Sequence, residues 1–370
     1  VSTLPRSFGG ELELGTLDVG RSAGRFGSGP RRCEVATGRT AIVIAARAAA
    51  AQRPGPALVP SYVCVSVVRA IREAGLAVRY YAVDGSLGTP IDALMQASER
   101  WSPSLTLVVN YFGFPAAPAI FAALRRGRRG GAIVEDCAHG SWLESANPPV
   151  GARGDFVFTS FRKYLSVPDG GILQAPAGVR LPALPEGDDE FVRLRLAAKL
   201  LRGERLRGAA GPDAERLYLE LFERAERGID RRVPMAGMSS VSSALVAQED
   251  LARVKARRRS NFNRLLAAIR RAPARRLLAP IFDRLPDGVS PLALPVRVSR
   301  GARDRVRRRL AAARVFCPVH WPLPPGVAAR FPESARLSAD ILSLPIDQRY
   351  DADAVDELAD RVASACRELA

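Results

Sequence analysis

The chain has 370 residues, 47% of them hydrophobic and 25% charged, which is long enough to bury a full core and too apolar for a disordered or fibrous protein. Its formal charge of +17 comes from 52 Arg and only three Lys (Lys163, Lys199, Lys255) against 38 acidic residues, and the basic side chains are scattered from Arg6 to Arg367. The densest clusters, Arg125-Arg126-Gly127-Arg128-Arg129 and Arg257-Arg258-Arg259, lack the interleaved aromatics of single-strand binders. They read as solvated helix faces, so nucleic-acid binding is not expected, although the field favours anionic small molecules.

Five cysteines (Cys33, Cys64, Cys137, Cys317, Cys366), odd in number and free of any CxxC pair, point to neither a disulfide framework nor a metal site. A reducing cytoplasm suits them. The most apolar run, 41–51, is interrupted by Arg47 and falls well short of the ~18 residues a spanning helix needs. No signal-peptide pattern opens the residues, and no membrane insertion is expected.

Residues 1–30, rich in glycine and without period, read as an N-terminal arm. From Cys33 onward helices and strands alternate: helix 41–52, strand 57–59, helix 65–74, strand 78–83, helix 91–100, an apolar β-rich run 105–111, helix 117–126 and strand 132–135. This βαβ rhythm argues for a mainly parallel sheet with helices on both faces. Strands 156–159 and 171–174 flank a turn-rich segment, and helices are expected over 188–202 and 213–227. A Gly/Met/Ser stretch at 235–243 leads into one long helix, 244–272. Strands 296–298, 316–320 and 342–345 and helices 302–313 and 351–369 suggest a smaller α+β unit. The expected organisation is an arm over 1–30, a large domain over 31–234 and a small domain over 235–370.

Two segments carry chemistry. Strand 132–135 delivers Glu135-Asp136-Cys137-Ala138-His139-Gly140 at its C-terminal end, where open parallel sheets place ligands. Alone, Glu-Asp there reads more readily as a helix cap. The second segment, Gly154 to Gly171, holds Ser160-Phe161-Arg162-Lys163 followed by Pro168-Asp169-Gly170-Gly171 between two strands. A lysine that attacks a carbonyl must lose its proton, and burial beside other cations lowers its pKa.

These runs, with Thr37-Gly38-Arg39-Thr40-Ala41-Ile42, Val59-Pro60-Ser61-Tyr62, Asn110-Tyr111-Phe112-Gly113-Phe114-Pro115 and Leu342-Ser343-Leu344-Pro345, resemble the DegT/DnrJ/StrS sugar aminotransferases, in the family's order and over roughly residues 33 to 365. The resemblance implies the aspartate-aminotransferase fold: an α/β, fold-type-I pyridoxal-phosphate enzyme with a mostly parallel, seven-stranded-type sheet between helices. It implies Lys163 as the residue joined covalently to pyridoxal 5'-phosphate (pyridoxamine 5'-phosphate being the intermediate form), Asp136 at the ring nitrogen, where it keeps that nitrogen protonated, and His139 near the ring hydroxyl. Ser160 and the helix opening at Gly38, Arg39 and Thr40 are expected at the phosphate, because helix N-termini attract anions, and Cys64 at the ring face. His320, in Pro318-Val319-His320-Trp321-Pro322, and Tyr62 are substrate candidates.

Relative to the family pattern, two residues are missing between Ser160 and Lys163, and Arg39 replaces a small hydroxyl residue. Cys64 stands where an aromatic often stacks, and Met235-Ala236-Gly237-Met238-Ser239 lacks the asparagine that crosses to a partner subunit. The expected function is transfer of an amino group from an amino acid, by resemblance glutamate, to an anionic, nucleotide-linked keto-sugar in surface-polysaccharide or secondary-metabolite biosynthesis, by a cytoplasmic homodimer. The alternatives are a sugar dehydratase of the same fold, disfavoured by Lys163, and a regulatory relative whose site has drifted.

Overall fold

The computed structural model describes residues 5–15, 31–127, 131–140, 151, 153–187, 190–271, 273–299 and 301–367. Most of the arm (1–4 and 16–30), Arg128, Arg129, the helix start at Asp188 and the helix ends at Ala272 and Leu369 lie outside the described residues.

The elements run, in chain order, β1 (Phe8–Gly9), β2 (Arg32–Val35), α1 (Gly38–Gln52), β3 (Ala57–Pro60), α2 (Val65–Glu73), β4 (Val78–Tyr81), α3 (Ile91–Trp101), β5 (Leu105–Val109), α4 (Pro118–Arg126) and β6 (Ala132–Asp136). There follow β7 (Phe156–Phe158), β8 (Gly171–Gln174), α5 (Glu190–Leu206), α6 (Asp213–Arg231), α7 (Ser240–Gln248) and α8 (Leu251–Arg271). The chain continues through β9 (Leu278–Pro280), β10 (Ala293–Val298), α9 (Arg303–Ala312), β11 (Val315–Phe316), α10 (Pro325–Arg330), α11 (Pro332–Asp340), β12 (Ile341–Pro345) and α12 (Ala352–Arg367).

Seven strands form one sheet in the order β2-β8-β7-β6-β5-β3-β4. Pairing from β4 through β3, β5 and β6 to β7 is parallel, and β8 runs antiparallel to both of its neighbours. The mostly parallel α/β architecture expected from the alternation is therefore the one formed. Runs such as Leu105–Val109, apolar except at Thr106 and buried at every position, are what a strand covered on both faces requires. A second sheet, β12-β10-β9, is antiparallel, and its Leu294, Val296, Leu342 and Leu344 belong to the same buried cluster as Val59 and Leu107 of the large sheet.

Three expectations need correction. The single helix expected over 244–272 is two, α7 and α8, because Asp250 accepts a hydrogen bond from the Arg253 N–H (2.9 Å) and starts a new helix. The strand expected over 316–320 is only Val315–Phe316; Pro318 cannot continue the ladder, and 317–320 runs on irregularly. The arm is not wholly irregular, since Phe8–Gly9 pairs in parallel with Val315–Phe316 and the Gly9 N–H donates to the Tyr350 hydroxyl (2.6 Å). The sequence pattern passed over α10, α11 and β9.

Alternation along β6 sends Glu135 and Asp136 to opposite faces. Glu135 is fully buried and accepts from Asn110 Nδ2 (3.0 Å) and the N–H groups of Gly151 (3.1 Å), Arg153 (3.0 Å) and Gly154 (2.9 Å), so it organises the approach to β7. Gly154 is required there: a Cβ would lie 2.6 Å from the Phe156 carbonyl and 2.7 Å from Glu135 Cβ. Glu135→Ala removes the acceptor of three part-buried backbone N–H groups and of Asn110 Nδ2 and should lower stability by about 3 kcal/mol in urea unfolding. Glu220→Ala, which removes an exposed one-turn pair with Arg216, should stay within about 0.5 kcal/mol.

Candidate active site

The C-terminal ends of the parallel strands meet the opening turn of α1. The register sets Val109 beside Asp136 and Asp136 beside Phe158, and the chain then turns through Ser160 to Lys163. A narrow cleft forms there, lined by Thr37, Gly38 and Arg39 of the α1 turn, Val63 and Cys64 after β3, Asp136 and His139 after β6, Ser160, Arg162 and Lys163 after β7, and Trp321. Arg162 and Lys163 also line a second cavity of about 620 Å³, which His320 and Ser343 border from the other side. Lys163 stands where the two spaces adjoin.

Seven of the residues singled out by sequence, Lys163, Asp136, His139, Ser160, Gly38, Arg39 and Cys64, thus line one cleft. Two do not. Thr40 donates its hydroxyl to the Pro234 carbonyl (2.8 Å), and its N–H is taken by the Thr37 side chain (3.2 Å), so that turn offers the cleft Thr37, Gly38 and Arg39 instead. Tyr62 is fully buried behind Trp321, ring centroids 5.3 Å apart, and borders neither space. His320 faces the large cavity, with Nδ1 2.8 Å from Ser343 Oγ. Thr37, Arg162 and Trp321 were not singled out. Arg162 adjoins Lys163 and Trp321 adjoins His320, and each could have been found by asking which neighbour of a candidate shares its loop.

No hydrogen bond or ion pair from a described residue engages the Lys163 ammonium. Burial lowers its pKa; Asp136 and Cys64 oppose that shift, and the positive charges of Arg162 and Arg39 reinforce it. Asp136 accepts from the Ala138 N–H through Oδ1 (2.8 Å), and no described residue bonds Oδ2. Burial raises its pKa, partly offset by Lys163 and by that N–H. Such a carboxylate is stabilised by any cationic N–H placed against it. His139 accepts from the Phe112 N–H at Nδ1 (3.3 Å), and its ring lies 5.4 Å from Trp321 at 27°.

Residues 32–177 match the model of the DegT/DnrJ/EryC1/StrS aminotransferase family. The resemblance read from the motifs is shown for this segment, which supplies most of the cleft. No curated protein matches the chain. Solved structures that it resembles include PseC of Helicobacter pylori, an aminotransferase involved in pseudoaminic acid biosynthesis, at TM-score 0.68 and 12% identity over 97% of this chain and 99% of that one. Another is TlmJ, an aminotransferase of Streptoalloteichus hindustanus, at 0.65 and 20% over 92% and 87%. Spr1654 of Streptococcus pneumoniae, assigned as a sugar aminotransferase and solved in its PMP form, gives 0.66 and 14% over 92% and 87%. These likenesses show the fold, that of the fold-type-I sugar aminotransferases.

Both histidines are held neutral. Burial, helped by the charge of Lys163, pushes His320 down to about 3 and His139 well below the usual imidazole range. The unfolded chain therefore binds more protons than the folded one below about pH 6.5, and stability falls as pH drops through that range. Each histidine should contribute a slope of about 1.4 kcal/mol per pH unit. His320→Gln should flatten the urea-derived stability curve between pH 6.5 and 5 by one such contribution, and an unchanged slope would show that His320 is not buried in its neutral form.

Proposed function

We propose that the chain is a pyridoxal-phosphate-dependent aminotransferase that moves an amino group from an amino acid, glutamate, to an anionic keto-sugar. The observation that carries this is the half-buried amine of Lys163, which has no hydrogen-bond or ion-pair partner among the described residues and adjoins an incompletely bonded Asp136 on one side and a substrate-sized cavity on the other. The donor set fits the cofactor: Asp136 for the ring nitrogen, His139 beside the ring, Lys163 for the aldehyde, and Ser160, Thr37, Gly38 and Arg39 for the phosphate. When bound, pyridoxal phosphate supplies an aldehyde for amine exchange and a ring that withdraws electrons.

The chain's own residues do the rest. Asp136 holds the proton on the ring nitrogen. Lys163 Nζ, whose pKa is lowered by burial and by its arginine neighbours, takes a proton from the α-carbon of the bound amino acid when in its neutral form and returns it on the other side of the amino nitrogen. His320, neutral and tied to Ser343, orients polar groups of the acceptor in the larger cavity. Arg258 and Arg307, which line the larger cavity, favour an acceptor with phosphate groups, which supports a nucleotide-linked sugar. The segment Met235–Ser239 lies against the approach to α1, the Ala36 N–H donating to the Ala236 carbonyl (2.9 Å); the family resemblance supports a homodimer in which this segment meets the second copy. All five cysteines are free, in keeping with a cytoplasmic location, and no helix among the described residues is long and apolar enough to cross a membrane. The retained lysine disfavours the dehydratase reading.

Protein reconstituted with pyridoxal phosphate should show a near-visible absorbance band that Lys163→Ala abolishes. Lys199→Ala should keep it, because Lys199 is committed to Glu11 (3.4 Å) and the Leu12 carbonyl (2.6 Å). The opposite pattern would move the cofactor to Lys199. Asp136→Asn should bind cofactor and lose roughly three orders of magnitude in turnover with glutamate, in line with losing a group that supports proton transfer. For the acceptor, the reverse half-reaction is followed with a nucleotide-linked and a free keto-sugar at low and high salt. The nucleotide-linked sugar should react faster, and its advantage should shrink as salt screens the field; equal, salt-independent rates would remove the nucleotide.

A further inference from the structure

Helix α6 reaches under the cleft with two carboxylates. Asp230 pairs with Arg69 (3.0 Å) and Arg39 (2.9 Å), and Glu226 pairs with Arg39 (3.6 Å), Arg195 (2.9 Å) and Arg162. Arg195 continues through Glu11 (2.7 Å) to Lys199 (3.4 Å). This connected network holds five cations, Arg39, Arg69, Arg162, Arg195 and Lys199, against three carboxylates, Glu11, Glu226 and Asp230. Among the described residues it carries two uncompensated positive charges before Lys163 is counted.

Burial makes that excess costly. The Arg195 and Lys199 side chains are inaccessible to solvent, and those of Arg39 and Arg162 retain only 14% and 16% of their exposure. Arg39 and Arg162 are also the members that line the cleft, beside the Thr37 and Ser160 hydroxyls and the first residues of α1. Arg39 makes no well-formed hydrogen bond to a described residue; its links to Glu226 and Asp230 are ion pairs only. Its donors are available to a further acceptor.

We propose that Arg39 and Arg162 form a two-guanidinium seat for a phosphate monoester, and that this ester is the phosphate of the cofactor; the identity of the ester rests on the pyridoxal-phosphate reading above. A phosphate carries close to two negative charges at neutral pH, the number the network lacks. Planar forks meet it with paired N–H donors, and the α1 N-terminus adds to the attraction. Both guanidiniums stay charged at every working pH, so the seat does not switch off. Neither substitution used to test the seat strands a carboxylate: Asp230 keeps Arg69 without Arg39, and Glu226 keeps Arg195 without either.

The test is equilibrium binding to cofactor-free protein, with thermal melting as a check on folding. The probes are pyridoxal phosphate, pyridoxal without phosphate, and inorganic phosphate as competitor. Wild type should prefer the phosphorylated form by at least about 100-fold. Arg39→Gln and, separately, Arg162→Gln should each weaken pyridoxal phosphate by about 10- to 100-fold, as expected for a lost charge-assisted hydrogen bond, and leave pyridoxal within about threefold. Inorganic phosphate should compete in wild type and lose that ability in both variants. Equal losses for the two aldehydes, or a wild type indifferent to the phosphate, would overturn the seat. If neither aldehyde binds wild type while inorganic phosphate still binds in an arginine-dependent way, the cofactor reading fails and the phosphate seat stands.

Discussion

Lys163 brings an amine into a place where nothing among the described residues pairs with it. Burial alone would make the charged form costly, and Arg162 and Arg39 add to that cost while Asp136 and Cys64 partly offset it. The rest of the site follows from keeping such an amine in position and keeping it unpaired. On the proposed function Asp136 acts on the same bound molecule and has to be near, and its hydrogen bond from the Ala138 N–H holds the carboxylate beside its own strand end. The arginines have to be held off the amine, and Glu226 and Asp230 do that from behind.

The sheet order makes the meeting of Asp136 and Lys163 inevitable once β6 and β7 are neighbours. Both strands point their C-terminal ends the same way, so Asp136 at the end of β6 and Ser160 just past β7 emerge side by side. The chain then turns back into β8, and the turn is tight. A Cβ on Gly171 would lie 2.3 Å from the Thr159 carbonyl, and Gly170 has φ +110 with Met238 Sδ 2.5 Å from where its Cβ would be. Those two glycines, and the Phe161 N–H bonded to the Gly170 carbonyl (2.9 Å), fix the loop that carries the lysine.

The strand-end carboxylate, the lysine loop and the α1 turn were legible as neighbours of one cleft because each is a short local run that resembles a family motif; taken alone, the residue types stated no role. The helix–strand alternation was legible for the same reason, since periodicity reports on neighbours within a few residues. What could not be read is long-range. Thr40 looks like a phosphate ligand until Pro234, 194 residues away, accepts its hydroxyl. Tyr62 sits in a family-like run, yet Trp321 and Tyr111 bury it. The partners of Arg162 and Arg195, Glu226 and Glu11, lie 64 and 184 residues from them, and no pattern in the chain announces those pairs. The short strands β1 and β9 escaped because two or three residues carry no period.

The arginine excess takes on a second meaning at this site. A cation beside a nucleophilic lysine lowers its pKa whether it is another lysine or an arginine, but another lysine would itself lose a proton when buried and compete for the same carbonyl. Arginine stays charged and does not. In a chain with 52 arginines and three lysines, the other two lysines are removed from competition by different means: Lys199 is fully buried against Glu11 and the Leu12 carbonyl, and Lys255, on α8, lines neither the cleft nor the large cavity. The arginine-rich, lysine-poor composition supplies a permanent positive field around one amine and leaves that amine without a rival.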